Sequence, residues 1–175
     1  MDLKEIKQIA AQEMKNRASH KWKAAGNKYY HGLRTAKIAK ELYRRLGFGA
    51  LPDTLTAAAW LHDIRNGKEE HERLGAEHVW EILQNCCTNE ETEKIARLVL
   101  IHDSRDMQGL TDEEMVLQDA DMLDHFGTFE IWEVFQYSGY HSIPLEETIK
   151  WMQDNCFPRY AGQAVALRYL QRNLL

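Results

Sequence analysis

Residues 57–71 read AAAWLHDIRNGKEEH. From Ala57 to Leu61 the run is apolar without a break, as in a helix with no solvent face, and it stops on the adjacent pair His62-Asp63. An imidazole and a carboxylate at the end of a buried segment have two uses. The aspartate can hold a buried histidine, or both can hold a metal ion, in which case the rest of the chain must supply further ligands.

Around this stretch the apolar residues recur at helical spacing. Leu3, Ile6, Ile9, Ala10 and Met14 predict a first helix, and Leu33, Ala36, Ala39, Leu42 and Leu46 a second, closed by Gly47 and Gly49. Pro52-Asp53 opens a third that runs to Leu61, and a fourth begins near Glu72 and carries Leu74, Val79 and Leu83. Ile95, Leu98, Val99 and Ile101 mark a fifth, and Thr111 with Glu114 resembles a capping box for a sixth that runs to about His125. Ile131 to Phe135, Leu145 to Met152 and Ala161 to Leu174 supply two or three more. No strand-like alternation is present, so the expectation is an all-α bundle of about seven to nine helices in one domain, residues 1–175. Trp60, Trp80 and Trp132 are expected in its core, and Cys86-Cys87 in buried packing.

Composition excludes several classes. A net charge of −5 with thinly spread basic residues gives no face for a nucleic-acid polymer. No apolar run approaches the ~20 residues that span a bilayer, and the charged start MDLKEIKQ lacks a signal-peptide core. Three cysteines without a CxxC spacing suit a reducing compartment, so cytoplasmic location is expected.

Further candidate ligands are His31, at the expected start of the second helix in YYHGLRTAKIA, and Asp121, in VLQDADMLDHFG, with Asp119 and Asp124 as alternatives or supporting acceptors. Two imidazoles and two carboxylates suit one divalent transition ion (Mn, Fe, Co, Ni or Zn, with Mg possible) better than calcium. Fewer protein ligands than coordination positions leave room for water and a substrate oxygen, as hydrolytic metal catalysis requires.

His31, His62-Asp63 and Asp121, in this order and at separations of 31 and 58 residues, resemble the H…HD…D signature of the HD superfamily of metal-dependent phosphohydrolases. HGLRTAKIAKEL is similar to the family's opening motif, AAAWLHDI to its doublet motif and QDADMLDHFG to the final segment of one bacterial branch. The resemblance covers about residues 28–137, with the C-terminal helices at 142–175 beyond it. It implies that His31, His62, Asp63 and Asp121 bind one metal within an all-helical bundle, and that the substrate is a small phosphate ester or anhydride, most plausibly a nucleotide. Many relatives continue the doublet with Gly-Lys or an acidic pair, whereas Ile64-Arg65-Asn66-Gly67 follows here.

The proton donor therefore falls to His71, with Glu69 and Glu70 as alternatives, while Asp63 serves both metal and catalysis. Arg34 shares a helix face with His31 and is a candidate for substrate phosphate, a carboxylate salt bridge being the alternative. Arg65 and Lys68 are candidates for the same anion or for a solvated loop, and His102 for phosphate binding or structure. The missing acidic pair also keeps a second function open: a metal-binding regulatory or nucleotide-sensing module with little turnover. Oligomeric state is not legible.

Overall fold

The computed structural model describes residues 1–104, 107–126 and 128–156, and among these there are eight α-helices, one π-helical turn and no strand. The helices are α1 (Leu3–Met14), α2 (Asn27–Arg45), α3 (Asp53–Leu61), α4 (His71–Leu83), α5 (Asn89–Ile101), α6 (Asp112–Asp124), α7 (Thr128–Tyr140) and α8 (Leu145–Trp151), with the π turn at Met152–Cys156. This is the expected all-α class. The last expected helix, 161–174, lies outside the described residues.

Local chemistry fixes the helix ends. Asp2 Oδ1 accepts from the amides of Lys4 at 2.9 Å and Glu5 at 3.1 Å, capping α1. Thr111 and Glu114 form the predicted reciprocal box at the start of α6, with the Thr111 amide donating to Glu114 Oε2 at 2.8 Å and the Glu114 amide to Thr111 Oγ1 at 3.3 Å. Gly26, at φ 78°, turns the chain into α2 at Asn27, so His31 sits a full turn inside the helix and not at its start. Because of that early start, Lys28 lies one turn before His31 on the same face.

The chain divides into two compact units, Met1–Asp124 and His125–Leu175. In the first, α2 packs on α3 and α6, α3 also packs on α5, and α4 lies along α5. Helix α3 is the hub. Ala57, Ala58 and Ala59 are all fully buried, because three consecutive methyl-sized side chains let neighbours approach from every side. In the second unit α7 contacts α8, and Val134 and Met152 are buried together. No helix of the described residues is long and apolar enough to cross a membrane.

Two tryptophans depart from expectation: Trp80 is 44% exposed and Trp132 43%. The buried stripe of α4 is Gly75, Val79 and Leu83, and Trp80 stands one residue off it. On α7 the buried positions are Glu133, Val134 and Ser138, and Trp132 again lies beside them. Hydrophobicity alone does not fix the face of a short helix.

One glycine sets the spacing of α2 and α3. A Cβ on Gly32 would lie 2.8 Å from the carbonyl oxygen of Trp60 and 2.9 Å from that of Ala59, both rigid backbone atoms. Gly32→Ala is therefore expected to force the helices apart and cost roughly 1–3 kcal/mol, seen as a Tm several degrees lower. Gly139→Ala, where an added Cβ meets nothing within 4 Å, is the control and should leave Tm unchanged or raise it. Equal melting of Gly32→Ala and wild type would contradict the close-approach account.

Candidate metal centre

Three helices deliver the four motif residues to one buried point. His31 comes from the second turn of α2, His62 and Asp63 from the residues just beyond α3, and Asp121 from the last turn of α6. All four are buried.

The hydrogen bonds around the two imidazoles decide their chemistry. His62 Nδ1 donates to the carbonyl oxygen of Ala59 at 2.9 Å, and His31 Nδ1 donates to Asp124 Oδ2 at 2.7 Å. A carbonyl accepts only, and so does an ionised carboxylate, so each ring when neutral keeps its lone pair on Nε2. These two Nε2 atoms face each other at 3.0 Å. Asp121 Oδ1 lies 3.0 Å from His31 Nε2 and 3.5 Å from His62 Nε2, and Asp63 Oδ2 lies 3.6 Å from both. Four acceptor atoms thus converge with their protons committed elsewhere. Mutual repulsion of this kind is relieved by a cation at their centre. Ligands at about 2.1 Å from one ion stand roughly 3.0–3.4 Å from one another, which fits the spacing of this group.

The titration pattern has the same origin. Burial raises Asp63 and Asp121, but Lys28 and the His62 ring hold Asp63 well below the usual carboxylate range, and the neighbouring His31 and His62 rings do so for Asp121. Burial, followed by the Lys28 charge, lowers His31. Burial opposes protonation of His62 as well, yet Asp63 and Asp121 outweigh it and push that ring upward.

A second layer holds these four side chains. Asp124, against His31 Nδ1, also accepts from Arg34, with Nε at 2.8 Å from Oδ1 and Nη2 at 2.8 Å from Oδ2. Burial raises Asp124, but the bonds from His31 and Arg34 prevail and bring it to about 2. Asp63 Oδ1 accepts from Asn66 Nδ2 at 2.9 Å, with His71 Nε2 at 3.6 Å and His102 Nε2 at 3.8 Å. Asp63, His71 and His102 thereby make a second group able to hold an ion, continuous with the first through the one carboxylate. His102 Nδ1 donates to the Val99 carbonyl at 2.7 Å, and burial followed by the neighbouring His62 lowers its pKa, keeping the ring neutral. The turn between Asp63 and His71 needs Gly67 at φ 93°, since a Cβ there would fall 2.0 Å from the Ser19 carbonyl oxygen. Glu70 adopts φ 52° at its far end. The chain thus doubles back and α4 starts with His71 beside Asp63.

Of the other candidates, Arg34 is engaged with Asp124, one step removed from the ligand cluster. Arg65 faces Glu13 at 4.0 Å, and Lys68, Glu69 and Glu70 are exposed, with Glu70 bound to Arg73 at 2.9 Å. Three residues of the centre carry no mark in the sequence reading. Lys28 Nζ lies 2.5 Å from Asp63 Oδ2, Asn66 holds Asp63 Oδ1, and Arg17 donates to the carbonyls of Ile64 at 2.7 Å and Asn66 at 3.2 Å. A positive residue at i−3 of His31 is a usable signal for Lys28; Arg17 binds main-chain oxygens, which leave none.

Comparison with known proteins agrees with the geometry. A family model, the HD domain, matches residues 29–125, more than half of the chain. No curated protein matches it. The chain is similar to the crystal structure of a predicted HD superfamily hydrolase from an uncultured Thermotogales bacterium, with 23% identity and a TM-score of 0.59 over 98% of this chain and 91% of that one. At this identity the likeness speaks for the fold.

A carboxyl whose folded-state pKa is depressed contributes stability above its unfolded value, and that contribution disappears as pH falls through the folded value. For Asp124 the window runs from about 3.8 down to about 2. In EDTA, urea denaturation should show wild type losing stability with acid more steeply than Asp124→Asn in this window, by about 2 kcal/mol in total. Parallel acid limbs would show that Asp124 is not held by His31 and Arg34.

Proposed function

Because the chain belongs to the HD domain family, we propose that it is a metal-dependent phosphohydrolase whose substrate is a small phosphate ester or anhydride of the nucleotide class. The observation that carries this reading is the convergence of His31 Nε2, His62 Nε2, Asp121 Oδ1 and Asp63 Oδ2 with every ring Nδ1 already committed. A divalent ion bound there supplies a Lewis acid that lowers the pKa of water and polarises a phosphoryl oxygen.

The protein's own groups supply the rest. His62 is fixed in one tautomer by the Ala59 carbonyl and His31 by Asp124, so both rings present Nε2 without rearrangement. Arg34 acts through Asp124, keeping that carboxylate ionised and the His31 ring oriented. His71 is half-buried, with Nε2 turned to Asp63 Oδ1, and is the group of this cluster best placed to hand a proton to a leaving oxygen. His102 packs at ring-centroid distances of 5.0 Å from His62 and 5.4 Å from His71 and fills the space between them.

Elemental analysis of protein purified without added metal is expected to find about one divalent transition ion per chain. His62→Ala and Asp63→Ala should lose it. Manganese or cobalt should stimulate phosphate or pyrophosphate release from at least one nucleotide, and EDTA should abolish it. His71→Ala should keep the metal and lower turnover about 10²-fold. Unchanged turnover in His71→Ala would transfer proton delivery to Glu69 or Glu70. Full metal content without hydrolysis of mono-, di- and triphosphates or dinucleoside polyphosphates would favour the sensing module. Stoichiometric metal persisting in Asp63→Ala would contradict the site itself.

A further inference from the structure

Lys28 stands in the first turn of α2, buried, one turn before His31. Its ammonium lies 2.5 Å from Asp63 Oδ2, the same oxygen that faces both His31 Nε2 and His62 Nε2 at 3.6 Å. The nitrogen therefore lies one contact away from the centre of the four acceptors. Asp63 cannot turn its charge away from it, because Asn66 Nδ2 holds Oδ1 at 2.9 Å and Arg17 pins the following turn through the Ile64 carbonyl at 2.7 Å. Lys28 cannot readily withdraw either. It starts from the helix that carries a ligand, and its side chain is only 8% exposed.

Charge decides what this ammonium does once an ion is present. Asp63, Asp121 and Asp124 are negative, and Lys28 and Arg34 positive, so this group is net negative without a metal. A divalent ion reverses that sign. The ion also draws on the Asp63 oxygen that Lys28 contacts, and a buried ammonium then gains most from a new anion at the same place. A compact ammonium on a flexible stem suits a phosphoryl oxygen, whose geometry it need not match.

We propose that Lys28 is a phosphoryl-binding residue of this centre, its ammonium shared between Asp63 and the phosphate group held beside the metal. The inference rests on the metal-centre reading above. It places the substrate's anionic charge against α2, and it assigns that contact to a residue outside the H…HD…D set. In metal-free protein the same ammonium holds the place of a cation at Asp63 and competes with the incoming ion.

Titration calorimetry on the full chain tests this with two probes, Mn²⁺ alone and then inorganic phosphate added to the Mn²⁺-loaded protein. Lys28→Met should bind Mn²⁺ more tightly than wild type, because the competing ammonium is gone. It should bind phosphate at least about tenfold more weakly. Lys28→Arg, which keeps the charge, should retain phosphate affinity within a few-fold. If Lys28→Met folds poorly, Lys28→Gln, purified with manganese present, should show the same loss. Phosphate affinity within about twofold of wild type in a metal-loaded neutral variant overturns the role of Lys28 and leaves the metal centre standing. Failure of the wild-type protein to take up Mn²⁺ overturns the metal reading itself.

Discussion

Two imidazole nitrogens that face each other at 3.0 Å, each on a ring whose Nδ1 is already committed, are the constraint on which this structure turns. Such a contact is unfavourable by itself, and the surrounding protein holds it in place. The Ala59 carbonyl commits one ring and Asp124 the other, and Asp121 and Asp63 bring two further acceptors into the same space. Stability is given up to present a fixed set of donor atoms, as expected where a binding site and not a core is being built.

The helical framework serves this arrangement. The middle of α3 is buried because Ala57, Ala58 and Ala59 fill it, so its end can lie at the heart of the unit. Gly32 lets α2 approach α3 closely one residue after His31. α6 packs on α2 and brings Asp121 and Asp124 to the same face, three residues and one turn apart. The carboxylate of Asp63 is then shared. One oxygen faces the two histidines and Lys28, and the other faces Asn66, His71 and His102. A single residue thus joins the group proposed to bind the metal to those proposed for proton transfer and phosphate binding.

The helices were legible because their apolar period is strong, and the capping box at Thr111 fixed one boundary closely. His31, His62, Asp63 and Asp121 were marked by type and order, and their side chains lie against one another in space. Lys28 was not marked. The stretch Asn27–Tyr30 lacks apolar periodicity, so the start of α2 was placed too late and the shared face of Lys28 and His31 did not emerge. For Arg34 the spacing left two uses open, a substrate phosphate or a carboxylate, and the structure shows its guanidinium engaged with Asp124. Trp80 and Trp132 failed for a related reason, since large apolar side chains sat one position off a narrow buried stripe.

The central claim is that these four side chains are ligands to one ion. X-ray absorption spectroscopy of the cobalt-loaded protein reads the donor atoms directly. The account predicts a first shell of nitrogen and oxygen at about 2.0–2.2 Å, with outer-shell scattering from two imidazoles and no sulfur. A sulfur shell near 2.3 Å, which would point to the cysteines, or a spectrum without imidazole scattering would contradict it.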